Sequence, residues 1–485
     1  MQKLTRRYRM KKKFIGVVCA LALVVITALS LVACNPYKWT AIGGGDPNAE
    51  VESNGGYVVK QGNYLYYING YEGTGGENND FGTPVKQSIV RSELDANGNV
   101  INSTTKVVVP KIIYNSSAKG GFAIYGEWIY YATPNNDRDK NGTASTTDTD
   151  FMRTKIDGSV TQRLGKINTR SAEYLFTPTR VLYYTSNTIS YIDFTGMKTD
   201  KNIDNAKGAT EGVLAENVSS VAWNMNSDTV YFTRTVTGEN SYKNYNELCA
   251  IKINGEGGRV LATEDTFVTD KDGEGNKTPA TQPLKVFKYT LRDMYVEADG
   301  SHTLYYTKTH YISSDTQDGL FCNKAEDFEN KEKLLEPSGS STLYPLGYED
   351  GALAYNAASM YCWYNGKVSA ENAVQVLNAS KTVWKVDPEA GVVYFTASSS
   401  ATTLEKVSYK TLGNASTVMS EGIKVDWLRL DFVGDNLYFF ATDDSNMMHT
   451  INVKTFDKNA VDEEGNAIKS TYIGFEREEE DEDEK

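Results

Sequence analysis

One short pattern recurs along the chain and limits what it can fold into. An apolar residue followed by two aromatics, or nearly so, appears as Leu65-Tyr66-Tyr67, Ile129-Tyr130-Tyr131, Leu182-Tyr183-Tyr184 and Val230-Tyr231-Phe232. It returns at Leu304-Tyr305-Tyr306, Leu353-Ala354-Tyr355, Val393-Tyr394-Phe395 and Leu437-Tyr438-Phe439. β-Branched and aromatic residues in short runs, with no 3.6-residue periodicity around them, are strand signals. Most of the runs follow a glycine turn, as in Gln61-Gly62-Asn63, Tyr125-Gly126-Glu127 and Val433-Gly434-Asp435-Asn436. Ahead of each turn lies another apolar stretch, such as Phe122-Ala123-Ile124, so each unit opens with a hairpin.

A third strand follows in every unit and often ends in its own turn. Examples are Met152 to Ile156 before Asp157-Gly158, Leu248 to Ile253 before Asn254-Gly255, and Tyr361 to Tyr364 before Asn365-Gly366. A short fourth stretch such as Val160 to Leu164 completes an antiparallel sheet. Successive aromatic pairs are 64, 53, 48, 74, 49, 40 and 44 residues apart, and the long spacings imply loop insertions. Four strands in roughly 40–50 residues is the size of a propeller blade. The chain's 485 residues exceed one ordinary compact domain but suit a repeat array. The expected fold is therefore all-β, a β-propeller over residues 57–474 with eight units counted, or seven blades if two units share one.

The units at Leu182-Tyr183-Tyr184-Thr185, Val230-Tyr231-Phe232-Thr233, Leu304-Tyr305-Tyr306-Thr307 and Val393-Tyr394-Phe395-Thr396 resemble the YWTD-type propeller repeats of lipoprotein receptors and their bacterial surface-lipoprotein relatives. Tyr or Phe stands in the Trp position and the final Asp is absent. The receptor propellers of that family have six blades. The resemblance implies a propeller architecture and a binding role, and assigns no functional residue.

The ends carry an address. Arg6, Arg7, Arg9 and Lys11 to Lys13 precede an apolar or small run from Phe14 to Ala33, the layout of an export signal. The run ends Leu31-Val32-Ala33-Cys34, which resembles the bacterial lipobox. That resemblance implies a signal peptide over 1–33, a diacylglyceryl lipid on Cys34, and an extracytoplasmic protein anchored to the bacterial cell membrane. The alternative is an uncleaved span, since about 20 apolar residues can cross a bilayer; either way the chain after Cys34 is outside. Residues 34–56, rich in Gly, Asn and Pro, read as a flexible lipidated tether. Residues 475–485 read as an acidic disordered tail, with eight acids and two bases from Glu476 onward. Without the leader, 43 basic residues face 63 acidic ones. That charge argues against nucleic acid as a partner.

Insertions at Tyr71 to Gln87, Thr133 to Asp150, Val236 to Asn246, Thr263 to Pro283 and Lys308 to Gly319 fall between second and third strands or between units. Both kinds of connection emerge on one face of a propeller, so one face is expected to be decorated and the other trimmed. Within one insertion, Asp137, Asp139, Asn141, Thr143, Ser145 and Asp148 occupy relative positions 1, 3, 5, 7, 9 and 12, with Gly142 at 6. Oxygen ligands at that spacing are how a twelve-residue loop wraps Ca²⁺, although Asp148 replaces the bidentate Glu and Ala144 the usual β-branched residue. A polar insertion that binds nothing is the competing reading. Asp270, Asp272 and Glu274 form a weaker echo.

Enzyme signatures fail: there is no Gly-x-Ser-x-Gly, HExxH, phosphate loop or Cys-x-x-Cys. His302, His310 and His449 are scattered, which disfavours a His-based triad or zinc site. Cys249, Cys322 and Cys362 fall on third strands of different units and read as small buried hydrophobes, too far apart to bridge. The expected function is a non-enzymatic binding module for a protein, peptide or glycan at the cell surface. The alternatives are a carbohydrate-active hydrolase or lyase with carboxylates at the channel mouth, and a structural subunit of an envelope complex.

Overall fold

The computed structural model describes residues 41–477 except 71–86, 114–120, 136–146, 238–244, 264–265, 272–276, 286, 311–318, 329–331, 336–343, 350–351, 357–359, 364–373, 378–381, 388–389, 398–402, 409–414, 419–424, 458, 462–464 and 466–469. A strand with another sheet packed on each face needs apolar side chains at every position, not at alternate ones. The aromatic pairs supply this. Leu65, Tyr66 and Tyr67 are each 0% exposed, and Ile129, Tyr130, Tyr131, Leu304, Tyr305 and Tyr306 are buried as well.

Each motif lies in its own antiparallel sheet, on the second strand in seven of them and, for Leu65-Tyr66-Tyr67, on the third strand of the first sheet. Seven sheets are four-stranded blades; the first sheet has five strands because Val51–Glu52 is added on the inner side of Val58–Gln61. The innermost strands of the four-stranded blades are Phe122–Tyr125, Glu173–Phe176, Val218–Ala222, Phe287–Val296, Tyr344–Glu349, Thr382–Asp387 and Val425–Val433. Neighbouring sheets share apolar clusters: Phe151 and Leu164 of the second pack with Phe176, Val181 and Ile192 of the third, and Leu182 and Ile189 of the third with Val230 and Phe232 of the fourth. The result is a ring of sheets around a central channel, a β-propeller.

Hydroxyls tie strands together inside the sheets. Tyr67 Oη and Ser92 Oγ are 2.9 Å apart and Ser92 Oγ and Thr105 Oγ1 2.8 Å, a chain crossing the first sheet from its third to its fifth strand. The second sheet repeats it with Tyr131, Thr154 and Thr161, at 2.9 and 3.0 Å. Burial pushes the Tyr67 phenol up to about 12, so these hydroxyls stay neutral.

Every sheet is continuous in sequence, so the ring closes without exchanging a strand. At the seam Gly474 N–H donates to Asn102 Oδ1 (3.1 Å), Asn102 Nδ2 to Tyr472 O (3.3 Å) and Thr105 Oγ1 to Gly474 O (2.8 Å). Tyr438, Phe440, Met448 and Ile473 of the last sheet join the apolar cluster of the first.

Three features add to the sequence reading or depart from it. The described part of the expected flexible tether, residues 41–56, is bound to the ring: Ile42 N–H donates to Asp157 O (2.9 Å), and buried Arg91 grips the carbonyls of Gly43 (2.5 Å) and Gly44 (3.3 Å). Backbone groups make these contacts, so no apolar periodicity announces them. The insertion at Thr263 to Pro283 forms a hairpin of its own, Thr266–Lys271 with Lys277–Lys285. And insertions occur on both faces. The upper face carries the connections from second to third strand and from sheet to sheet. The lower face carries the tight inner turns, but also two long third-to-fourth connections, between Asp193 and Thr210 and between Asn452 and Thr471. The first of these covers a sheet edge. Arg163 N–H donates to Ile203 O (2.6 Å), and Gln162 Nε2 donates to Lys198 O (2.6 Å) and Lys201 O (2.7 Å), which blocks edge-to-edge pairing of the second sheet.

Candidate functional site in the central channel

The inner strands leave a cavity of about 710 Å³ in the channel. Its wall includes Tyr57, Phe122, Tyr174, Phe176, Trp223, Asn224, Asn226 and Asp431, contributed by the first, second, third, fourth and last sheets. Tyr57 and Tyr174 are half-buried, so each shows part of its ring to the cavity. Both are held from behind. Tyr174 lies edge-on to Phe151 at 5.4 Å and to Phe176 at 5.3 Å, and Tyr57 meets Phe440 at 5.9 Å. Asn226 is exposed at the turn after Val218–Ala222.

The turn that joins Val51–Glu52 to Val58–Gln61 fills one side of the channel. Asn54 pairs with the second sheet's inner strand, Nδ2 donating to Ile124 O (2.9 Å) and Oδ1 accepting from Ile124 N–H (2.7 Å). Gly55 N–H donates to Phe122 O (3.1 Å) and Phe122 N–H to Gly56 O (3.0 Å). On the other side Ser53 Oγ donates to Phe432 O. Glycine is required here. Gly121 sits at φ +119°, and a Cβ on it would run into the Gly56 carbonyl, while one on Gly56 would run into the Asp431 carboxylate.

Asp431 is the carboxylate of this wall. Its Oδ2 accepts from Tyr57 N–H and from Val58 N–H (3.0 Å), so it also joins the last sheet to the first. One edge of the residue remains accessible, but protein surrounds the carboxyl group, and burial pushes its pKa up to about 7 against the opposing pull of the two amides. Among the described lining residues it is the single acid.

The sequence-predicted residues fall elsewhere. Asp137, Asp139, Asn141, Thr143 and Ser145 lie outside the described residues, as do Cys34, Asp272 and Glu274. Asp148 is described, with Oδ2 3.6 Å from Lys166 Nζ and Oδ1 accepting from Thr147 Oγ1 (3.2 Å). Among the described residues no group of three or more His, Cys, Asp or Glu is arranged to hold a metal. Cys249, Cys322 and Cys362 lie on third strands of three separate sheets; Cys249 and Cys322 are buried free thiols, and burial drives the Cys249 thiol up to about 11.

Two histidines set aside for their scatter have partners. His302 Nδ1 is 2.7 Å from Tyr231 Oη and its Nε2 3.2 Å from Ser227 Oγ, and burial lowers its pKa. His449 Nε2 is 2.6 Å from Asp444 Oδ2 and its Nδ1 2.8 Å from Ser470 Oγ, while Arg477 holds the same Asp444 oxygen at 2.6 Å. The partners come from a tight turn and from the end of a long connection, a juxtaposition that linear spacing does not reveal.

No family model matches the chain, and no curated protein matches it. Solved structures do. Dipeptidyl peptidase 4 of Porphyromonas gingivalis is 10% identical with a TM-score of 0.44, over 85% of this chain and 61% of that one. An oligogalacturonate lyase of Vibrio parahaemolyticus is 11% identical with a TM-score of 0.38, over 83% and 97%. A chain of a nidogen/laminin complex is 12% identical with a TM-score of 0.27, over 65% and 94%. These are similarities of fold alone.

Proposed function

We propose that this chain is a lipid-anchored extracytoplasmic β-propeller that binds an uncharged or basic glycan in its central channel without turning it over. The channel cavity carries the reading: half-buried Tyr57 and Tyr174 offer rigid ring faces, exposed Asn226 offers an amide, and one carboxylate stands among them. Aromatic faces beside amides suit the apolar faces and hydroxyls of sugar rings. Glycoside hydrolysis needs an acid and a second carboxylate as base or nucleophile, and Asp431 supplies one acid already committed to two backbone amides. The chain's acidity, with 63 acids against 50 basic residues, disfavours polyanionic ligands. The export-signal layout and the lipobox-like Cys34 support a site outside the membrane.

The test is an oligosaccharide array probed with residues 35–485, followed by calorimetric titration of the best binder. Tyr174→Ala should weaken that binding about tenfold, roughly 1.4 kcal/mol, while Ser159→Ala, in a turn that does not line the cavity, leaves it unchanged. Turnover of the bound oligosaccharide, abolished by Asp431→Asn, would refute the non-enzymatic reading.

A second reading rests on the Asp444–His449–Ser470 chain, a carboxylate–imidazole–hydroxyl order like that of nucleophilic serines. There His449 would take the Ser470 proton as the oxygen attacks an ester carbonyl, and would return it to the alcohol oxygen that leaves as the acyl–serine ester forms. Hydrolysis of p-nitrophenyl acetate above the buffer rate, lost in Ser470→Ala and kept in Ser227→Ala, would establish it; equal rates in all three discard it.

A further inference from the structure

The path of the N-terminal segment fixes which face of the ring looks at the lipid. Ile42 is pinned by Asp157, which sits in the third-to-fourth turn of the second sheet, between Thr149–Lys155 and Thr161–Ile167. From there the chain runs inward across the lower face. Arg91 holds Gly43 and Gly44, and its guanidinium also donates to Ile156 O (3.2 Å), clamping the segment to both the first and second sheets. The Arg91 side chain stacks 4.3 Å from the Tyr64 ring, at the end of the first sheet's inner turn. Gly62 N–H donates to Glu50 O (3.3 Å), again at an inner turn, before Val51–Glu52 enters the channel. Every one of these attachments is on the lower face or at its rim.

Seven residues lie between Cys34 and Ile42, eight Cα–Cα steps in all. Fully extended they reach about 29 Å. Strands of seven to ten residues, as in Trp128–Pro134 and Val100–Val109, at about 3.3 Å each make the ring roughly 23–33 Å thick before its turns are added. To turn the upper face toward the bilayer, the connection would have to climb the full rim and would have no length left.

We infer that the propeller stands with its lower face, the side of the inner turns, toward the lipid surface, and presents the upper face, with its sheet-to-sheet and second-to-third connections, outward. This rests on the proposed lipid anchor at Cys34. On the lower face the exposed Asp228 is paired with Lys252 (3.0 Å), and that turn therefore presents little net charge to the headgroups. The lower face is held facing the bilayer by the short connection and not by adhesion. A ligand from the surroundings then meets the upper face first.

The experiment uses the full lipidated protein in vesicles of phosphatidylcholine that carry a lipid-bound energy acceptor. A donor dye is clicked onto azidophenylalanine placed at Ala96 or Ala298 on the lower face, or at Glu216 or Asp443 on the upper face; all four are exposed. Ala96 and Ala298 belong to the first and fifth sheets, so together they report tilt. The expected result is transfer at least twofold more efficient from both lower positions than from both upper ones. Reversed or equal efficiencies in protein that floats with the vesicles would overturn the orientation and leave the anchor intact. High transfer from Ala96 with Ala298 as low as Glu216 means an edge-on ring and also overturns it. Failure to float refutes the anchor itself, and the orientation with it.

Discussion

At the residue scale, Asp431 is the most consequential side chain of the channel. A carboxyl group in water titrates near 4; here burial raises it to about 7, and only two backbone amides resist. A folded pKa above the unfolded one means the native state binds more protons between about pH 4 and pH 7, so stability falls as pH rises through that window. The melting temperature should drop by several degrees between pH 5 and pH 8, and Asp431→Asn, which keeps an acceptor for Tyr57 and Val58, should flatten the profile. A variant profile as steep as the wild type's would assign the dependence to other groups. Asp431 could not be found from sequence. It stands in Leu430-Asp431-Phe432, where alternation places an acid on the solvent side of a half-buried strand. The solvent side of an inner strand is the channel, and the first sheet's extra hairpin fills it there. The aromatic pairs were legible because packing on both faces leaves no choice of residue class.

Among elements, the segment that departs furthest from its sequence reading is Val51–Glu52 with the turn behind it. Composition points to a linker: Gly43-Gly44-Gly45 and Gly55-Gly56 have no side chain to bury, and signals for docking reside in side chains. Its binding is done by backbone groups, by the polar Ser53 and Asn54 side chains, and by partners elsewhere, Arg91, Asp157 and Asp431. Lys60 and Glu52 form a 2.5 Å ion pair, but both are partly exposed, which limits its worth to about 0–1 kcal/mol. Arg91 is different because it is buried and satisfied by three carbonyls. Arg91→Ala should destabilise the fold by about 2–4 kcal/mol, since it removes three charge-assisted bonds, one of them to the buried Ile156 carbonyl. Lys60→Ala should stay within about 1 kcal/mol. Chemical denaturation of the two variants gives the comparison, and equal losses would mean that the clamp is not what seats the segment.

The whole molecule is a ring of sequence-continuous sheets, and such a ring has one junction that the chain does not cross. Elsewhere a connecting loop restrains neighbouring blades; between the last sheet and the first, only non-covalent contacts do so. The Asn102, Thr105 and Gly474 bonds lie at the outer strands, and the Asp431 bonds to Tyr57 and Val58 at the inner ones. Repeat arrays open where the interface between neighbours is weakest. Replacing Asn102→Ala together with Thr105→Val removes the three seam hydrogen bonds and the Ser92–Thr105 bond behind them, about 1 kcal/mol each, an expected loss of about 3–4 kcal/mol in urea unfolding. Native-state hydrogen exchange decides where that loss is felt. If the junction opens as a unit, amides of Val58–Gln61 and Val425–Val433 exchange faster together with those of Thr471–Tyr472. If only Thr471–Tyr472 speeds up, the inner contacts around Asp431 hold the ring closed by themselves, and raising the pH through 7 in the same variant should then release them.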